Sequence, residues 1–267
     1  MKNCCNRTYG KCGEIKNLAI VQARCASTRL PNKVILKLNG KTVLERVIQR
    51  VSRAKKVNEV IVATTLNTED VKIVRMCSVM GVRVYTGAEN DVLDRFYQIA
   101  KIIKPENIIR ITSDCPLVDG DLIDKVIDEH IKNNADYTAN AHIPTYPDGL
   151  DAEAIKYQAL EDAWKKSRLL SEREHVTLYI KKRPKKYKII NVASPIDYSG
   201  KRWTLDNKED YIFIRKIYRA LGKGESYFSM DDIINYLRQH PEVEKINQNI
   251  IRNEGLQKSL KNDKKIN

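Results

Sequence analysis

The residues of this chain best suited to chemistry lie between positions 23 and 33, in the stretch Ala-Arg-Cys-Ala-Ser-Thr-Arg-Leu-Pro-Asn-Lys. Arg24, Arg29 and Lys33 supply three cations, and Ala23, Ala26, Ser27 and Thr28 are small enough to let backbone approach a ligand. Three fixed cations on such a loop suit a triphosphate. In a chain rich in Lys and Arg, the same residues also read as a solvated basic turn. Two aspartates extend the set: Asp114 in Thr-Ser-Asp-Cys-Pro and Asp206 in Leu-Asp-Asn-Lys, each at the end of an expected strand. Mg²⁺ takes oxygen ligands, commonly one or two carboxylates with substrate phosphates and water. Paired aspartates facing a basic loop are therefore the parts of metal-assisted chemistry on a nucleotide. Taken singly, each aspartate is more often a helix cap than a ligand.

Positioning such a set requires a rigid sheet. Residues 18–21 read as a buried parallel strand emptying into the basic loop, and open α/β sheets bind ligands beyond the carboxyl ends of their strands. Further strands are expected at 59–65, 82–85 and 107–112. Between them the spacing predicts helices over 68–80, 88–103 and 120–132, and one after Thr42, where Glu45 completes a capping box. Strand and helix alternate through residue 135, which predicts an α/β fold with a mostly parallel, doubly wound sheet. Gly40-Lys41-Thr42 superficially matches a P-loop, but the motif's first Gly falls on Ile35.

From residue 136 the pattern changes. A strand at 136–141 and a turn-rich run at 144–151 precede helices at 157–167 and 171–182. Strands follow at 187–193 and 201–205. Asn207 then caps a helix carrying Ile212, Ile214, Ile217 and Leu221, and a last helix covers 230–238. No linker separates independent domains. The chain divides into a flexible tail (1–16), one domain (17–240) carrying an inserted α+β region (136–200), and a basic C-terminal tail (241–267).

Composition narrows the classes. Hydrophobic residues make up 42% of the 267, enough for a sizeable core and too many for global disorder. No apolar run approaches the roughly 18 residues that span a bilayer, so a cytoplasmic protein without membrane insertion is expected. The six cysteines form no Cys-x-x-Cys pair and only four histidines are present, which argues against structural zinc. The net charge of +14 suits either nucleic acid or polyphosphate. The densest basic run, 181–188, holds one aromatic and no RNA-binding signature, so no nucleic-acid partner is expected.

The basic loop closely resembles the signature loop of the sugar-acid cytidylyltransferases, which include CMP-Kdo synthetase and acylneuraminate cytidylyltransferase. Val-Ala-Thr-Thr at 62–65, Asp-Val-Leu-Asp-Arg at 91–95, Arg-Ile-Thr-Ser-Asp-Cys-Pro-Leu at 110–117, Tyr-Pro-Asp-Gly-Leu-Asp at 146–151 and Arg-Glu-His-Val-Thr at 173–177 resemble the subgroup named for spore-coat polysaccharide biosynthesis protein F. The resemblance implies a Rossmann-like, three-layer nucleotide-diphospho-sugar transferase fold and transfer of CMP from CTP to a small anionic acceptor, with pyrophosphate leaving.

It implies that Arg24, Ser27, Arg29 and Lys33 hold the triphosphate, with Arg24, Arg29 and Lys33 catalytic, and that Asp114 and Asp206 bind Mg²⁺. Ala23, Thr28, Thr64, Asp94, Arg95 and Asp114 join the nucleotide site. Asp148, Asp151, Glu153, Arg173, Glu174 and His175 face the acceptor. His175 reads equally as a structural histidine, and Asp94 with Arg95 as a helix-surface ion pair. A homodimer through 136–200 is also implied. Asn32 stands where relatives have Gly, and Lys208 where they have Pro. A glycosyltransferase using a nucleotide-sugar on the same fold is the alternative reading.

Overall fold

In the computed structural model, which describes residues 15–250 and 254–265, Asn17–Gln22 forms the buried central strand β1. Its alternating side chains feed two cores: Leu18 and Ile20 on one face, Ala19 and Val21 on the other. β2 (Glu59–Thr65) and β4 (Asn107–Thr112) pair with it in parallel, and β3 (Arg83–Gly87) extends the β2 side. Beyond β4 lie β6 (Glu153–Lys156), β5 (Tyr137–Ala139) and β7 (Ile189–Asn191), completing the order β3-β2-β1-β4-β6-β5-β7. Only β6 is reversed: it pairs antiparallel with both β4 and β5. The fold is α/β with a mostly parallel sheet, as expected. Strand order turns around at β1, so the crevice beyond Gln22 and Thr112 is where this architecture binds ligands.

Helices cover both faces. α1 (Val43–Val51), α2 (Val71–Met80) and α4 (Gly120–Lys132) pack Leu44, Val47, Ile73, Ile123 and Val126 on one side. α3 (Val92–Ile103) and α5 (Tyr157–Lys166) bring Leu93, Phe96, Ala159 and Leu160 to the other. A third cluster joins α8 (Lys208–Leu221) and α9 (Met230–Gln239) to Leu38, Val43 and Trp203. The expected capping box at Thr42 and Glu45 is present.

Several elements differ from the sequence expectation. Residues 201–205 are not a strand. Trp203 and Leu205 alternate into the third core, but their amides donate to the carbonyls of Asp148 and Asp114 rather than to a neighbouring strand. The helix expected over 171–182 breaks into α6 (Leu170–Glu174) and α7 (Leu178–Lys181), with Val176 at φ 34° between them. The helix expected from 88 begins at Val92, capped by Asp91, so Glu89 lies in the preceding loop. β6 is an element sequence reasoning missed, because Glu-Ala-Ile-Lys carries little strand signal by itself. Part of the region read as a basic C-terminal tail is helical: α10 (Pro241–Glu244) and α11 (Glu254–Lys261). The expected N-terminal tail lies outside the described residues except for positions 15 and 16. No helix among the described residues is long and apolar enough to cross a membrane.

His130, at the end of α4, is buried between Thr138 and Asn107, with its ring nitrogens 3.0 and 3.1 Å from their side-chain oxygens. Burial, helped by Lys156, pushes its pKa down from 6.5 to about 4. The unfolded chain therefore binds more protons than the folded one between those values. This group's contribution is complete above pH 6.5 and lost as the pH falls toward 4, about 3 kcal/mol in all. Urea titrations should show His130→Gln with a flatter stability profile than wild type between pH 4 and 6.5. Parallel profiles would remove His130 as a cause.

Candidate active site

The basic loop begins where β1 ends. Asp70, fully buried, accepts the Cys25 amide at 2.7 Å, and the Asn32 amide donates back to the Cys25 carbonyl, closing the loop. Asn32 itself sits at φ 59°, ψ 22°, the left-handed region that Asn tolerates better than other non-glycine residues. The departure from glycine at that position thus preserves the turn.

The loop lines one half of a two-part cleft. This half, of about 550 Å³, includes Ala23, Arg24, Ser27, Thr28, Arg29 and Lys33, faced by Arg95, Asp114 and Asp206. The second half, of about 440 Å³, runs past Asp148, Asp151, Glu153 and His175. The halves share Arg29, Arg110, Thr112, Asp114, His175 and Asp206, so the two aspartates stand at the junction.

The junction is held by Lys33. Its ammonium donates to Asp114 Oδ2 at 3.1 Å, Asp206 Oδ1 at 2.8 Å and the Leu205 carbonyl at 2.9 Å. Burial opposes ionisation of Asp114, yet Lys33, with hydrogen bonds from Thr112 and Cys115, holds its pKa down to about 2. Burial likewise opposes the Lys33 charge, but the two carboxylates raise its pKa. Arg29 Nη2 lies 3.0 Å from Asp206 Oδ2, and Arg24 lies 3.0 Å from Glu89. Both carboxylates thus converge on a single cation position, which fits a divalent ion held by two carboxylates with phosphate oxygens and water. Among the described residues, no cluster of three or more His, Cys, Asp or Glu side chains forms a cage by itself.

Arg95 is 2% exposed, and its Nε and Nη1 have no hydrogen-bond partner although it lines the first half of the cleft. Burial and nearby Arg24 lower its pKa. Two buried guanidinium nitrogens without partners call for an acceptor from a ligand or water. The room it occupies depends on Gly87, where a Cβ would lie 2.8 Å from Arg95 Cγ.

Three expected site residues line neither half, and Glu174, expected to face the acceptor, lines the first half and not the second. Thr64 is fully buried in β2 and lines neither half. Asp94 accepts from Trp164 Nε1 at 2.8 Å and Gln98 Nε2 at 3.0 Å, joining α3 to α5. Arg173 is committed to Asp91 and the Trp164 carbonyl, clamping α6 onto the start of α3. Helix periodicity does not reveal which polar side chains turn inward between elements.

In the second half, Asp148 pairs with Arg202 at 3.2 Å. Gly149 next to it has φ +105°, and a Cβ there would lie 2.4 Å from the Thr204 amide nitrogen. Glu153 lines the cavity, but its carboxylate is already shared by Arg110, Tyr137, Thr177 and Lys181. It acts as an internal counter-ion. His175 lines both halves, with burial lowering its pKa toward the neutral imidazole. Sequence reasoning missed Arg110, Lys181, Arg202 and His142 as lining residues. One signal was present: Arg110 interrupts the apolar run Asn-Ile-Ile-Arg-Ile-Thr.

Known proteins share this architecture. The family model described as cytidylyltransferase matches residues 18–219. An uncharacterised protein of Methanocaldococcus jannaschii is 40% identical over 240 residues, 88% of this chain and 96% of that one. The spore coat polysaccharide biosynthesis protein SpsF of Bacillus subtilis is 34% identical over 241 residues, 85% and 95% of the two chains. The structure of a cytidylyltransferase from Leptospira borgpetersenii is 30% identical with a TM-score of 0.82, covering 89% of this chain and 98% of that one. With the basic loop, the paired aspartates and the two-part cleft in one place, the chain is a nucleotidyltransferase and belongs to the cytidylyltransferase family.

Proposed function

We propose that this protein transfers CMP from CTP to a sugar acid or similar small anionic acceptor, releasing pyrophosphate, in the assembly of a surface polysaccharide or glycoconjugate. The observation that carries the reading is the junction: Lys33, Asp114 and Asp206 stand between a cationic half sized for a nucleotide and a second half with its own cations. The name of the Bacillus relative, a spore coat polysaccharide biosynthesis protein, supports the glycan context.

In this reading the triphosphate lies along the loop. Arg24 and Arg29 exchange Glu89 and Asp206 for phosphate oxygens, and Lys33 presents its charge to the same phosphates from the place it already holds. Asp114 and Asp206 would hold Mg²⁺, which supplies further neutralisation at the α-phosphate. An oxyanion of the acceptor, its proton given up to solvent and its charge oriented by Arg110, Lys181 and His175, attacks the α-phosphorus in line. Its bond to phosphorus forms as the bond to the pyrophosphate oxygen breaks. Catalysis is positioning plus electrostatics and calls for no protein nucleophile. A homodimer through 136–200 belongs to the same proposal.

The test is pyrophosphate release with Mg²⁺ from CTP, UTP, GTP or ATP, against a panel of sugar acids including 3-deoxy-manno-octulosonate. The expected result is acceptor-dependent release from CTP, matched by one CMP-acceptor conjugate per pyrophosphate. Sugar transfer from a nucleotide-sugar, without pyrophosphate, would instead establish the glycosyltransferase.

A further inference from the structure

The acceptor half of the cleft has one wall from outside the residues matched to the family. Leu256, in α11, lines it together with His142, His175 and Lys181. The family match ends at residue 219. The segment carrying Leu256 is fastened to α6 at four points. The Leu170 amide donates to the Lys264 carbonyl at 2.9 Å, extending to an antiparallel bridge between Leu169 and Lys265. Ser171, 1% exposed, donates through its amide to Asp263 Oδ1 at 3.0 Å and through its hydroxyl to Oδ2 at 2.6 Å. Ser259 donates to Glu174 Oε2 at 2.7 Å.

The far end of α6 supplies Glu174 to the nucleotide half, and the following residue, His175, to both halves. α6 is a helix of only five residues, too short to hold its place by its own hydrogen bonds. It is clamped on one side by Arg173 to Asp91 and on the other by the C-terminal segment.

We propose that residues 254–265 are an acceptor-selecting strap: they fix α6, and Leu256 closes the outer wall against which the acceptor packs. The strap thereby sets an apolar side chain beside the Arg110 and Lys181 cations, in a half that also holds Asp148, Asp151 and Glu153. It fits an acceptor with an anionic group at one end and a less polar face at the other. This inference rests on the cytidylyltransferase reading for its substrate, and on the fastening alone for its structure.

Two measurements separate those dependencies. Hydrogen exchange on the full chain reads the fastening without any substrate: Asp263→Ala should speed exchange of the Leu170 and Ser171 amides at least tenfold. Unchanged exchange overturns the strap. Steady-state kinetics with CTP and the best acceptor of the panel read the selection. Leu256→Asp should raise the acceptor KM about tenfold, with the KM for CTP and kcat within twofold, and Leu256→Met should restore the wild-type value. Equal loss on both substrates, or no change on either, overturns the role of Leu256. Absence of turnover by the wild-type protein with every acceptor defeats the parent reading, and with it the selection, while the exchange result stands on its own.

Discussion

Lys33→Met should lower kcat/KM for CTP by about 10²–10³, the range seen when one preorganised charge-stabilising donor is removed. The reason lies in what the ammonium does in the resting site. It is held by two carboxylates and a carbonyl, so its position is fixed before nucleotide arrives. Charge that develops on the transferring phosphate then meets a cation that is already placed.

Because burial opposes but does not prevent its ionisation, and Asp114 stays ionised down to about pH 2, the pair keeps its charges across neutral pH. The same substitution removes the cation shared by Asp114 and Asp206. Mg²⁺ binding measured by calorimetry without nucleotide should therefore tighten while turnover falls. A thermal melt close to wild type would separate this from unfolding. A variant retaining kcat/KM within threefold of wild type would exclude Lys33 from the reaction.

The second large effect is on stability. Glu153 is buried in the reversed strand β6, facing Arg110 of β4 with Lys181 also in reach. Burial works against its charge, yet the cations of Arg110 and Lys181, with the Tyr137 hydroxyl, hold its pKa well below the usual carboxylate range. Replacing it with Leu strands the mostly buried Arg110 guanidinium at the cleft without its counter-ion, which costs up to about 3–5 kcal/mol. For a chain of this size that corresponds to a fall in Tm of roughly 10 °C. Glu153→Gln, which keeps hydrogen-bonding capacity, should lose less. The pair's contribution is present above the unfolded carboxylate value and lost only as pH drops below it, so the difference between wild type and Glu153→Leu should be flat from pH 6 to 8. Calorimetric scans that superimpose would show that Arg110 finds water or another partner.

The place of the basic loop in the cleft was legible because its determinants are local. The loop's cations and small residues stand within one short segment directly after an apolar strand, and the sheet's direction places that loop at a carboxyl edge. Asp114 was legible for the same reason, since it follows the next parallel strand in the sheet. Asp206 was legible by its motif, although the segment leading to it is not the expected strand but a run tied to the Asp148 and Asp114 carbonyls.

The second half of the cleft was only partly legible. Asp148, Asp151 and His175 do line it, but Arg173 is committed to Asp91 and Glu153 to Arg110. Those pairings are made across 82 and 43 residues of chain, and local pattern carries no information on them.

What the sequence by itself determined is therefore the sheet, the cradle and the two carboxylates. Hydrophobic period and loop composition act over a few residues and are settled before distant parts of the chain meet. What the tertiary structure decided is the use of each charge. It sets Lys33 between the two aspartates, turns Arg95 inward without a partner, spends Glu153 on Arg110 and brings Leu256 from beyond the matched region to the acceptor wall. The physical reason is that a buried charge is defined by its neighbours in space, and here those neighbours come from strands and helices far apart in the chain.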